Sequence, residues 1–339
     1  MPADSDDPAA AYRLAILSAV LEGDSGTAFH LTRRLMDDGM TFDEVLFDVL
    51  GSVQAELGYR WMQGDYRIAE EHAATAAVET VVASLAGFFD LPEEGVPVTV
   101  ACAQGETHAL PARMIAAHLL YLGWRATFLG PSVPAADLEA YLTETPTAAV
   151  ILSCSIATNL TGARASVRAA HAAGVPVLAG GPGFGRDDRL ARAVGADAWA
   201  AGPREIETIL QTWSPDIVAA ERGAVTPPPD LEAVAARRLQ ILAAAVEELT
   251  AAVEPAAAAS LGHRNWEDVT LVSDALTAAL TVADPKILSD FARWHTERLA
   301  ESDRAPGLVA DLLAALRRAI GEDAPEAARY LDEALAASG

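Results

Sequence analysis

The chain has 339 residues, 51% hydrophobic and 21% charged, with 48 acidic against 24 basic side chains and a net charge of −24. Such a composition builds cores for about two to three domains and excludes a disordered chain, while the acidic excess opposes nucleic-acid phosphates and anionic membrane surfaces alike. No apolar run is long enough to span a bilayer, and the acidic start lacks the regions of a secretory signal. Cys102 and Cys154 are too few for a disulfide framework, so a cytoplasmic protein is expected.

Residues 8–92 carry helical spacing throughout. Leu14, Leu17, Val20 and Leu21 recur at three- and four-residue intervals, as do Phe42, Val45, Leu46, Val49 and Leu50. Gly23-Asp24, Asp38-Gly39 and Gly64-Asp65 punctuate them, which predicts a small helical bundle. From 96 to 222 strand and helix alternate. Strands are expected over 96–103, 126–129, 148–153, 175–179 and 198–201, with helices between them. That alternation predicts a doubly wound, Rossmann-like parallel sheet with right-handed crossovers. Thr226-Pro227-Pro228-Pro229-Asp230 reads as a semi-rigid linker. Beyond it, 230–338 reads as an all-helical, globin-sized domain with Pro255, Pro285, Pro306 and Pro325 at helix starts. The expected fold is therefore α/β plus all-α, in three domains.

Open parallel sheets bind ligands at the carboxyl ends of their strands. The first strand is followed by Gln104-Gly105-Glu106-Thr107-His108, the second by Gly130, the third by Ser153-Cys154-Ser155 and the fourth by Gly180-Gly181. These small, hydrogen-bonding residues suit a large ligand, and the glycines let it approach backbone closely. His108 offers one ring nitrogen to a metal while the other takes a polar partner. The alternative is a surface imidazole in a helix-capping loop.

These residues resemble the cobalamin-binding fold. Glu106-Thr107-His108, a serine pair about 45 residues further on and Gly180-Gly181 match its pattern of an acidic residue, a histidine, Ser-x-Leu and Gly-Gly. The resemblance implies that His108 binds cobalt from the lower face. The nucleotide tail then inserts beside the serine and the glycine pair. Pro111 stands where the pattern has glycine, and Ser153-Cys154-Ser155 replaces Ser-x-Leu. Upstream, Trp61 followed after nine residues by Glu71-His72 resembles the helical cap of adenosylcobalamin photoreceptors of the CarH kind. There the tryptophan covers the upper group, and the acidic residue and histidine complete the pocket. Read without that resemblance, Trp61 is a core aromatic with Glu71 and His72 in solvent. Photoreceptors of this kind place a second histidine directly after the tryptophan, where this chain has Met62, and a thioether suits cobalt(III) poorly. Such repressors also carry a basic winged helix before the cap, which is not expected here.

The last block holds two aromatic–basic–histidine clusters, His263, Arg264 and Trp266, and Arg293, Trp294 and His295. The architecture resembles the photocobilins, which pair adenosylcobalamin with a bilin, biliverdin. Arginines suit bilin propionates and tryptophans stack on pyrroles. An ordinary helical dimerisation domain is the alternative. The expectation is a light-sensing signalling protein rather than an enzyme, its cobalt held by His108. Expected partners are small-molecule chromophores, with a second copy or a downstream signalling protein as macromolecular candidates. A corrinoid carrier for a methyltransferase and a cofactor-free scaffold are the competing readings.

Overall fold

The computed structural model describes residues 9–213, 224–251, 255–300 and 307–338, with the backbone alone for 255–264, 300 and 338. The chain divides into two compact units. The first gathers residues up to 102 with 107–131 and 145–153; the second holds 103–106, 132–144 and everything from 154 onward.

The first unit begins with α1 (Ala10–Leu21) and α2 (Ser25–Asp37). Asp24 starts α2 by accepting the Thr27 backbone N–H at 2.9 Å, which meets one of the helix's orphan donors. A π-helical turn, Glu44–Leu50, runs directly into α3 (Gly51–Met62), and α4 spans Ile68–Ala86. The expected helix over Phe42 to Leu50 is thus wound more widely. Phe42, Val45, Leu46, Val49 and Leu50 are all buried, and a π turn aligns Val45 with Leu50. They join Ile16, Val20, Leu57, Val78 and Val82 in one core, which also takes Leu110 and Met114.

Three strands follow in the same unit: β1 (Pro97–Cys102), β2 (Arg125–Phe128) and β3 (Val150–Ser153), with α5 (Ala109–Tyr121) after β1. β1 pairs in parallel with both others, Val98 opposite Ala126 and Val100 opposite Ile151.

The second unit contributes α6 (Ala135–Glu144), α7 (Leu160–Ala172), β4 (Val177–Gly180), α8 (Arg189–Val194), β5 (Ala198–Ala200) and α9 (Pro203–Thr212). The strands form a five-stranded sheet in the order β2-β1-β3-β4-β5, so the doubly wound parallel α/β fold expected from the sequence is present. The winding reverses between β1 and β3, which makes the edge at their carboxyl ends the ligand-binding one. At the opposite edge His171 Nε2 lies 2.8 Å from Asp197 Oδ2, which also accepts the Val177 N–H at 2.7 Å. This nearly buried pair ties α7 to the strand starts and serves structure.

The C-terminal helices are α10 (Asp230–Ala236), α11 (Arg238–Thr250), α12 (Pro255–Thr281), α13 (Lys286–Ala300), α14 (Leu308–Ile320) and α15 (Pro325–Ser338). Pro255 and Pro325 open their helices and Pro285 precedes one; Pro306 lies outside the described residues. The buried Asp230 carboxylate accepts the N–H groups of Glu326 (2.6 Å) and Ala327 (3.0 Å), capping α15 from a hundred-residue remove in sequence. Among the described residues no helix is long and apolar enough to cross a membrane.

Candidate functional site

In the first unit, His108 sits where β1 gives way to α5, as the residue just before the helix, and it is exposed, as is Thr107. Its carbonyl accepts the Cys102 thiol at 3.7 Å, and Cys102 N–H donates to Gly130 at 3.3 Å. Buried Cys102 thus anchors the loop that presents the imidazole. Pro111 falls in the first turn of α5, where a missing N–H breaks no helical bond. The replacement of glycine there leaves the helix start intact. Gly130 has φ +91, backbone that favours glycine, and Ser153 ends β3 in a buried position.

Three cap residues in the same unit, Trp61, Glu71 and His72, carry the upper motif. Trp61 is half-buried near the end of α3, neither core nor free surface, and Met62 beside it is 43% exposed. On α4 the Glu71 side chain is 17% exposed and the His72 side chain 71% exposed, with Glu71 Oε2 3.7 Å from His72 Nε2. Glu71 does not face solvent. Its Oε1 accepts the Thr75 hydroxyl at 2.7 Å and lies 3.4 Å from Gln54 Nε2.

In the second unit, Glu106 is fully buried and gathers the loop after β3. Its Oε2 accepts Ser155 N–H (2.7 Å), Ile156 N–H (3.2 Å) and the Asn159 amide (3.1 Å). Three donors stabilise a charge that burial alone would penalise. The rest of the loop after β1 is equally tied: Gln104 accepts the Ala135 N–H at 2.8 Å and Gly105 donates to Ser132 at 3.1 Å. A Cβ on Gly162 of α7 would stand 1.8 Å from the Gln104 carbonyl, so only glycine lets α7 approach. Gly181 has φ +105, and a Cβ there would meet the Cys154 carbonyl at 2.5 Å. Gly180 accepts the Cys154 N–H at 3.0 Å. Ser155, where the pattern has leucine, has a buried hydroxyl oxygen with no hydrogen-bond partner among the described residues.

The residues expected to hold a bilin fall in different settings. His295 is fully buried, stacked on Phe291 with centroids 5.4 Å apart, and 3.7 Å from Asp268. Exposed Arg293 pairs with Asp290 at 3.1 Å, and Trp266 is 37% exposed. Trp294 lines a cavity of about 610 Å³ with Ile156, Phe184, Lys286, Ile287 and Phe291. Lys286 is the only lysine of the chain. The side chains of His263 and Arg264 lie outside the described residues; their backbone belongs to α12.

Sequence reasoning missed Gln54, Thr75 and Gly162. Each acts through a contact with a residue distant in sequence, and none belongs to a spaced motif.

Two family models match. Both carry the description B12 binding domain, one over residues 96–209 and the other over 13–86. The chain is 36% identical over 97 residues to the HTH-type transcriptional repressor CarH of Myxococcus xanthus, a match spanning 29% of this chain and only 31% of that protein. Among solved structures, the monomethylamine corrinoid protein of Methanosarcina barkeri superposes with a TM-score of 0.50 at 16% identity, covering 58% of this chain and 96% of that one. A cobalamin-binding protein from Desulfitobacterium hafniense DCB-2 gives a TM-score of 0.33 at 19% identity, over 60% of this chain and 98% of that one. The residues present fit a corrinoid. In the first unit His108 presents an exposed imidazole at the end of β1, and in the second the buried Ser155 hydroxyl oxygen has no hydrogen-bond partner among the described residues. Residues 13–86 and 96–209 are B12-binding domains, and the chain is a cobalamin-binding protein.

Proposed function

We propose that this protein is a light-sensing signalling protein that takes adenosylcobalamin as its chromophore. The observation that carries the reading is the cap constellation: half-buried Trp61 on α3 with the hydrogen-bonded Glu71 and exposed His72 on α4. Bound adenosylcobalamin supplies a cobalt–carbon bond that light breaks. His108 would hold the cobalt, and the Cys102 contact to its carbonyl fixes the loop that presents it. Glu106 keeps the loop after β3 in register, and with it Ser155. Trp61 would pack against the adenosyl group, so that the cap's packing, and with it the population of cap conformations, would depend on whether that group is bound. Met62 would offer cobalt(III) a weaker ligand than an imidazole at that position.

The reading extends to a bilin, biliverdin, at the C-terminal helices. The 610 Å³ cavity beside Trp294 is of the size that small-molecule ligands fill, and its wall combines aromatic rings with Lys286 and Arg189. Acidic partners neutralise part of that charge, Arg189 pairing with Asp284 at 2.6 Å.

Met62 favours a second reading, a corrinoid carrier for a methyltransferase, in which the cap only shields the cofactor. Visible spectra of the full chain, reconstituted with adenosylcobalamin and biliverdin and recorded in darkness and after green light, separate the two. The photoreceptor gives a light-dependent change of the cobalamin bands together with a change in hydrodynamic size, and a red band that denaturation releases. A cobalamin change with no change in size supports the carrier, and an absent red band removes the bilin.

A further inference from the structure

The face of α3 that carries Trp61 also carries Gln54 and Gly58, which lie seven and three residues before it and so stack along one stripe of the helix. Gln54 Nε2 donates to Thr75 Oγ1 at 2.8 Å and lies 3.4 Å from Glu71 Oε1. The Thr75 hydroxyl spends its one proton on Glu71 at 2.7 Å. Both neighbours are therefore acceptors, which fixes the Gln54 nitrogen on the α4 side and turns its oxygen away from them. That oxygen is buried and has no hydrogen-bond donor among the described residues. A buried acceptor of this kind is expensive to leave unmet, and a donor carried by a bound group would meet it.

Gly58 points the same way. It sits inside α3, where glycine weakens a helix relative to alanine. Among the described residues nothing lies within 4 Å of the place its Cβ would occupy. Neither a close neighbour nor a special backbone asks for glycine there, and the space above it is open.

We propose that Gln54 and Gly58 form, with Trp61, the recess that selects the adenosyl group of the cofactor. Gly58 is the floor, and Gln54 Oε1 accepts from one of the group's hydroxyl or amino donors. The proposal rests on the adenosylcobalamin reading above and names the residues that set its specificity. A methyl upper group lacks both the bulk and the donors. The amides on the corrin rim are the other donors a cobalamin carries, and they are common to both forms.

The test is a dark titration of the full-length apoprotein with adenosylcobalamin and with methylcobalamin, read by visible absorbance, alongside the melting temperature of the apoprotein. Gly58→Ala is expected to hold or raise the melting temperature, because alanine is the better helix former. It is expected to weaken adenosylcobalamin about tenfold and leave methylcobalamin within about twofold. Gln54→Leu, similar in size, is expected to weaken adenosylcobalamin by roughly three- to tenfold, the range of one lost hydrogen bond, with methylcobalamin again spared. Equal losses for the two cobalamins assign Gln54 to the corrin amides or to bracing α3 on α4 and overturn the proposal. So does an unchanged preference in both variants. A wild-type protein with no preference for adenosylcobalamin sinks the adenosylcobalamin reading itself, and this proposal with it.

Discussion

The described residues within 10–86 and 230–338 both form helices rich in alanine, yet they place their aromatic side chains differently. In the first, Tyr59, Met62 and Ile68 around the end of α3 and start of α4 are 58%, 43% and 57% exposed, and the space over Gly58 is open. In the second, His295 is fully buried and the arginines are spent on ion pairs, Arg317 with Asp332 at 3.1 Å and Arg318 with Glu248. The first region gathers exposed apolar side chains at one pair of helix ends; in the second they stand on separate helices, Leu239 on α11 at 70% and Leu271 on α12 at 39%. A motif with fixed spacing, Trp61 to Glu71-His72, puts its residues on two neighbouring helix ends. A run of adjacent types, Arg293-Trp294-His295, is spread around a helix by its own geometry, one residue to solvent, one to a cavity and one to the core.

Substitutions sharpen that contrast. His295→Ala removes a fully buried ring and is expected to lower the unfolding free energy by about 3 kcal/mol in urea denaturation, with biliverdin uptake through Trp294 retained below the melting temperature. A variant as stable as wild type breaks the contrast. Asp230→Ala leaves two N–H groups at the start of α15 without an acceptor, for an expected loss of about 2 kcal/mol. Trp61→Ala is expected to take only about 1 kcal/mol from the apoprotein, far less than a core tryptophan, while altering the response to light. A loss of about 4 kcal/mol with an unchanged photoresponse returns Trp61 to the core.

The smallest effect concerns Asp24. Hydrogen bonds from the Thr27 side chain and backbone hold its carboxyl below the usual value. Its folded pKa lies under the unfolded one, so its contribution is present above the unfolded value and is lost as pH falls through the folded pKa. Asp24→Asn, which keeps a capping oxygen, is expected to flatten the melting temperature below about pH 4 and change little at pH 7.

Much of this was legible in the sequence because it is local. Each strand is an apolar run ended by a turn residue, and β1 to β5 fall within the runs expected, give or take an end residue. The π turn was not legible, since Val45, Leu46, Val49 and Leu50 satisfy α and π winding alike. Nor was the work of Glu106, which depends on donors 49 to 53 residues away. The acidic letter of the motif could be read, but not that the carboxylate organises the loop after β3. Gly162 and Gln54 carried no signal, because the carbonyl that excludes a Cβ and the threonine that orients an amide belong to other elements.

The role of His108 decides the account. The most direct measurement is electron paramagnetic resonance of the cobalt(II) form of the bound cofactor, using protein labelled with heavy nitrogen and unlabelled cobalamin. If His108 holds the cobalt, the splitting from the axial nitrogen is the doublet of the labelled isotope and disappears in His108→Ala. A triplet from unlabelled nitrogen in the wild-type protein means that the cofactor's own base remains on the metal, and contradicts it.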